Sequence, residues 1–251
     1  MMLVCIGCQW QLRPDDKDAD VSHISIQRYD RIESLYLTTG DFAALQQLNT
    51  YFPEQTRMLL EDVLHLGQVN DADINTKFLY FFQDSILQRM LTDVQQQYAD
   101  MDDINEELSA AFSRLHEEFP AMEMPDIYAQ IGSFDQSIIV GTGMLGISLD
   151  KYLGEDYPFY QDHYAAEQRS LMTRSMIVPD CLAFFILSQY PLSHAKQGQQ
   201  QERDWHMGKI QWTVNQLMGN DIFTTPFVQA VEEYMHQHPK TSLRDLLENS
   251  L

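Results

Sequence analysis

The chain has 251 residues, 44% of them apolar, and its 37 acidic residues against 16 basic ones give a formal charge of −21. That length is enough for one substantial core. The charge repels phosphate backbones and anionic lipid headgroups, so nucleic-acid binding and electrostatic adsorption to a membrane are excluded. No run approaches the roughly 18 apolar residues of a membrane-crossing helix.

The first eight residues, Met1-Met-Leu-Val-Cys-Ile-Gly-Cys8, are apolar and end in Ile-Gly-Cys. This pattern is similar to a bacterial lipobox with Cys8 as the acylated residue. The apolar stretch is too short for a whole signal peptide and lacks a basic start, so the sequence is read as beginning inside its own signal. A ragged N-terminus is the alternative. Residues 9–22 are polar, with Pro14 and the run Asp15-Asp-Lys-Asp-Ala-Asp20, and read as a flexible tether ahead of a single globular domain over 23–251. If Cys8 is the lipidated residue, Cys5 is removed and Cys181 has no partner, so no disulfide framework exists. Cys181, inside Cys-Leu-Ala-Phe-Phe-Ile-Leu, is expected as a small buried hydrophobe.

Residues 23–29 alternate Ile24 and Ile26 with polar neighbours, which predicts a short strand or an extended arm. Residues 41–65 have a helical pattern broken by Pro53, giving two helices, the second ending at Gly67. Leu79, Phe82, Ile86, Met90, Val94 and Tyr98 recur every three or four residues and predict one long helix with these six toward the core. Ile104, Leu108, Phe112, Leu115 and Phe119 predict the next helix, with Asp102 and Asp103 capping its free amides and Pro120 beyond its end.

Residues 126–154 hold five of the eleven glycines. Three short apolar runs lie between them: Ile127 to Ile131, Ser137 to Val140, and Leu145 to Leu149. Glycine at turns and β-branched residues between them predict two or three short strands. The fold class is therefore α+β and mostly helical, with a small sheet at about residues 126–149 among the helices. Tyr157 to Tyr164 reads as an aromatic cluster suited to a surface. Ala165 to Gln189 predicts a helix kinked or broken near Val178 by Pro179. Residues 194–204 read as a polar loop. Trp205 to Leu217 reads as a helix closing at Gly219, Pro226 starts the last stretch, and Ser242-Leu-Arg-Asp245 resembles a capping box.

Several pieces of the chain also carry a family pattern: Ile24-Ser-Ile-Gln-Arg-Tyr-Asp30, Ser137-Ile-Ile-Val140, Leu145-Gly-Ile-Ser-Leu-Asp-Lys-Tyr-Leu-Gly154, Asp156-Tyr-Pro-Phe-Tyr160, and Gly208-Lys-Ile210 as a helix start. In that order, over roughly residues 23–212, they resemble the gliding-motility lipoprotein GldB family of Bacteroidetes. The resemblance implies a lipid-anchored protein of the cell envelope, with envelope or motility-machinery proteins as partners. The residues after Cys8, Gln-Trp-Gln-Leu-Arg with acids only from Asp15, point to a domain facing the periplasm.

The sheet, the helix after it and the later Gly-Lys helix have the layout of a zinc-peptidase scaffold. Its His-Glu-x-x-His motif places two imidazoles on one metal by one helical turn. No two of the eight histidines are four apart, and the corresponding stretch reads Arg174-Ser-Met-Ile-Val-Pro-Asp-Cys181. A zincin-like scaffold without a metal site is the expectation. His236 and His238 read as a solvated pair. There is no Gly-x-Ser-x-Gly and no phosphate loop, and Gly141-Thr-Gly143 reads as a turn. Asp150 with Asp156 carries little weight as an acid–base pair in so acidic a chain. No catalytic residue, metal or cofactor is assigned, and the expected role is non-catalytic protein binding. The alternative is a divergent peptidase-like hydrolase. The candidate binding surface is Asp135, Asp150, Tyr152 and Tyr160, since tyrosine offers both a ring and a hydroxyl. The plainer alternative makes Asp150 a helix cap and Tyr152 a packing residue.

Overall fold

The computed structural model describes residues 24–192 and 199–248. The lipidation residue Cys8, the signal remnant and the tether at 9–22 lie outside the described residues. Six helices precede the sheet: α1 Tyr29–Thr39, α2 Phe42–Tyr51, α3 Pro53–Met58 with a π turn Leu59–Val63, α4 Ile74–Phe81, α5 Ser85–Gln97 and α6 Asp102–Glu118. Strands β1 Asp126–Gln130, β2 Ile138–Gly141 and β3 Met144–Ser148 follow. Then come α7 Pro158–His163, α8 Ala166–Arg169, α9 Ile177–Gln189, α10 Gln200–Met218, α11 Pro226–Gln237 and α12 Leu243–Glu248.

The fold is mostly helical α+β with one three-stranded sheet, as the sequence predicts. Its order is β1-β3-β2, with β3 parallel to β1 and antiparallel to β2. The β2–β3 hairpin turns at Thr142-Gly143, with Gly143 at φ 70°. Residues before α1 form the expected extended arm: Gln27 pairs with β1, its N–H donating to Ile127 O and its carbonyl accepting from Ala129 N, both at 2.9 Å. The arm is also held to α6, where Ser109 and Asn105 accept from the amides of Ile24 and Ile26.

The register gives the sheet two unlike faces. Ile127, Ala129, Leu145 and Ile147 make one wholly apolar, fully buried face, and α9 packs against β2 and β3. On the other face Tyr128 lies opposite Gly146 and Gln130 opposite Ser148. Gly146 is needed there, because a Cβ on it would sit 2.6 Å from the Tyr128 ring. Helix α1 covers this face, with Tyr29 edge-on to Tyr128 at 6.2 Å between ring centroids.

Four local expectations are corrected or sharpened. The long helix over residues 79–98 is two, because Asp84 accepts from the amides of Ile86 (2.8 Å) and Leu87 (3.3 Å) and starts a new helix. Phe82, Met90, Val94 and Tyr98 are buried, but Ile86, in the first turn of the new helix, is 49% exposed. The N-cap position of α6 is Met101, without a side-chain cap, and the amide of Asp102 is bound from outside the helix by the Asp100 carboxylate, which accepts at 2.8 Å. The helix expected over 165–189 is not one kinked helix but is broken just ahead of Val178, with α8 at Ala166–Arg169 and α9 from Ile177. Pro179 lies in the first turn of α9, where amides have no intrahelical acceptor and proline forfeits no bond. Gly208 lies in the middle of α10, not at its start, and lets Phe227 of α11 approach to within 2.7 Å of where its Cβ would be. Other expectations hold: Cys181 is fully buried, Gly219 closes α10 in the left-handed conformation, and Ser242 and Asp245 cap α12 reciprocally.

Candidate binding groove

The strand β1 runs into a turn, Ile131-Gly132-Ser133-Phe134, in which Ser133 and Phe134 have φ of 60° and 66°. Left-handed backbone is costly for residues with a Cβ, so two in succession need outside support. Two buried carboxylates supply it. Asp150 accepts from Gly132 N through one oxygen and from Phe134 N through the other, both at 2.6 Å. Glu33 of α1 accepts from Ile131 N at 2.9 Å. Burial raises the pKa of both groups; for Asp150 the amides of Gly132 and Phe134 partly oppose that, and for Glu33 the nearby Asp30 and Asp150 add to it.

Of the four residues expected to form a binding surface, three are interior. Asp150, Tyr152 and Tyr160 are at most 1% exposed, while Asp135, just past the turn, is exposed. Asp150 caps the strained turn instead of a helix. Tyr160 donates to the Asp150 carbonyl and accepts from Leu153 N. Tyr152 donates to Asp180 of α9 at 2.8 Å, and its carbonyl accepts from the hydroxyl of Tyr98 at 2.5 Å. Burial pushes Asp180 up to about 6. The expected surface is corrected to a buried frame, because each of these polar tips finds its partner inside.

That frame aims an aromatic ladder outward. The Phe134 carbonyl accepts from Lys151 Nζ at 3.0 Å and from Tyr164 Oη at 2.7 Å. The Phe134 ring stacks on Phe159 at 4.0 Å, and Phe159 stacks on His163 at 4.1 Å. His163 Nδ1 lies 2.8 Å from Phe159 O, as its donor, which leaves Nε2 toward solvent. Helix α7, started by Pro158, therefore presents Tyr157, Phe159 and His163 to one side.

Facing them is α5, whose exposed residues Ser85, Ile86 and Arg89 and half-buried Asp93 form one stripe. The two helices enclose a groove of about 340 Å³, and a second opening of about 530 Å³ continues it past Asp93 and Tyr157 to Gln96 and Gln97. The walls are fastened together by Tyr157 Oη, which donates to Asp93 at 3.0 Å. A larger groove of about 620 Å³ runs along α6, but short polar side chains and carboxylates dominate its lining. The α5–α7 groove instead pairs an exposed large apolar side chain, Ile86, with an aromatic wall. The aromatic run at 157–164 was visible in the sequence. Its partner Ile86 was not, since its spacing reads as core; the signal that could have found it is Asp84, which makes position 86 part of the first turn of a new helix.

The remaining chemistry is sparse. Among the described residues no group of three or more His, Cys, Asp or Glu side chains is placed to hold a metal ion. His236 and His238 are exposed; one lies 3.9 Å from Glu232 and the other stacks on Tyr234. No described helix is long and apolar enough to cross a membrane.

Fold and groove thus define a helical α+β domain with a surface groove between α5 and α7. The chain belongs to the family of gliding motility protein GldB, which it matches over residues 11–222. That span holds the arm, the sheet, the strained turn and both walls of the groove, and ends before α11. No curated protein and no solved structure matches the chain, so the likeness to a zinc-peptidase scaffold gains no support from any known fold.

Proposed function

We propose that this GldB-family protein is a non-catalytic, lipid-anchored component of the cell envelope that binds a protein of the gliding machinery in the α5–α7 groove. The observation that carries this reading is Ile86, an exposed isoleucine that lines one groove with Phe159. A preformed cleft with apolar side chains on both walls loses little conformational freedom when a partner side chain enters it. The anchor is the lipid on Cys8, with the domain on the periplasmic side; several acyl chains on one cysteine hold durably where one does not.

The test places a photo-reactive amino acid at position 86 in gliding cells. Cross-linking to a motility protein, with loss of gliding in Phe159→Ala, is the expected result. Normal gliding in a folded Ile86→Asn, Phe159→Ala double variant, with no cross-link, would sink the reading. Stoichiometric zinc with chelator-sensitive peptide hydrolysis in the purified protein would restore the hydrolase alternative. Cys8→Ala, made with a complete signal sequence in place, should release the protein from the membrane fraction.

A further inference from the structure

The charge arrangement of the groove narrows the partner's chemistry, an inference that rests on the binding role just proposed. Two carboxylates border the apolar floor. Asp93 uses one oxygen to accept from Tyr157, and its other oxygen makes no hydrogen bond. Asp162, one turn along α7 and exposed, makes no hydrogen bond or ion pair among the described residues. Against them stands one permanent cation, Arg89, exposed and likewise without a hydrogen bond or ion pair. His163 is the other titratable group of the wall, with Nδ1 committed to the Phe159 carbonyl. The groove is thus acid-rimmed around an apolar floor, on a chain whose formal charge is −21.

Such a rim and such a field favour the same partner. The long-range potential steers a basic surface toward the chain and disfavours an acidic one. Once docked, an apolar side chain covers Ile86 and Phe159, while a lysine or arginine about one helical turn away meets Asp162 or the open oxygen of Asp93. The volume of about 340 Å³ holds one or two large side chains, not a folded domain. We propose that the groove receives a basic amphipathic segment of a protein partner, with one or two large apolar residues flanked by lysine or arginine.

Two synthetic helical peptides test this, with leucine and phenylalanine at the same positions and either lysine or glutamate elsewhere. Each is titrated onto the full chain and followed by fluorescence anisotropy. The lysine peptide should bind at least about tenfold more tightly than the glutamate peptide. Asp162→Lys should weaken it by about tenfold, since attraction becomes repulsion, whereas Arg89→Glu should tighten it by about threefold. Ile86→Asn should weaken it by about tenfold through lost apolar contact. Preference for the glutamate peptide, or weaker lysine-peptide binding in Arg89→Glu, overturns the inference. So does an Ile86→Asn variant that binds the lysine peptide as well as the original, since attraction would then be to net charge alone. A cross-link from position 86 to an acidic segment would overturn the inference and leave the binding role standing. The absence of any cross-link would overturn both.

Discussion

The two faces of the sheet are both buried, yet they are built from opposite materials. One presents Ile127, Ala129, Leu145 and Ile147. The other presents Tyr128, Gln130 and Ser148 beneath α1, together with the unpaired buried atoms Tyr128 Oη, Gln130 Oε1 and Glu33 Oε1, which have no partner among the described residues. An alternating strand ordinarily turns its polar face to water. Here a helix covers that face, so its polar groups are cut off from water, and only some of them, such as Gln130 Nε2 with Ser148 Oγ, find a protein partner. The apolar face supplies stability, and the polar face, continued through Glu33 and Asp150, shapes the turn that aims Phe134 at the groove.

The largest break should come on the apolar side. Ile147→Asp places an unpaired carboxylate in a fully buried strand, and we expect a loss of about 4 kcal/mol or more by denaturant unfolding. An unshifted midpoint would show that this face is open to water.

Asp150→Ala should follow, at about 3 kcal/mol, since it strands the amides of Gly132 and Phe134 next to two left-handed residues. The same variant should loosen the Phe134–Phe159–His163 ladder. Unchanged ring-current shifts on Phe159 would separate the turn from the groove.

The buried carboxylates sharpen the comparison through pH. Asp180, beside the α9 end of the frame, titrates at about 6 when folded, against about 3.9 when unfolded. Its folded pKa is raised, so the folded chain binds the proton more tightly. Its favourable contribution is present below about pH 4 and is lost as pH rises through 6. The loss is about 2–3 kcal/mol if burial is not relieved by water. Asp180→Asn should flatten that slope, and Glu33→Gln should flatten one of the same sign. A steeper slope in either variant would contradict the burial argument.

The smallest effect on stability belongs to Ile86→Asn, within about 0.5 kcal/mol, because the side chain is already half in water. Loss of binding without loss of stability at this position would separate the groove from the core.

Much of this was legible in the sequence because its causes are local. Glycine spacing and β-branched runs placed all three strands, the Thr142-Gly143 turn and the helix ends at Gly219 and Ser242, each set by backbone preferences within a few residues. Apolar periodicity found the core of α6 and the burial of Cys181. The pieces at 24–30 and 137–160 pointed to the family the chain belongs to. What the sequence could not give depends on what lies on the other side of a side chain. Asp150, Tyr152 and Tyr160 look like surface chemistry until α9 and the turn at 132–134 close around them. Ile86 looks like core until the cap at Asp84 places it in the first turn of a separate helix, beyond the buried Met90 and Val94. Burial is a property of pairs of surfaces, and only the folded arrangement decided which faces α1, α5, α7 and α9 would meet.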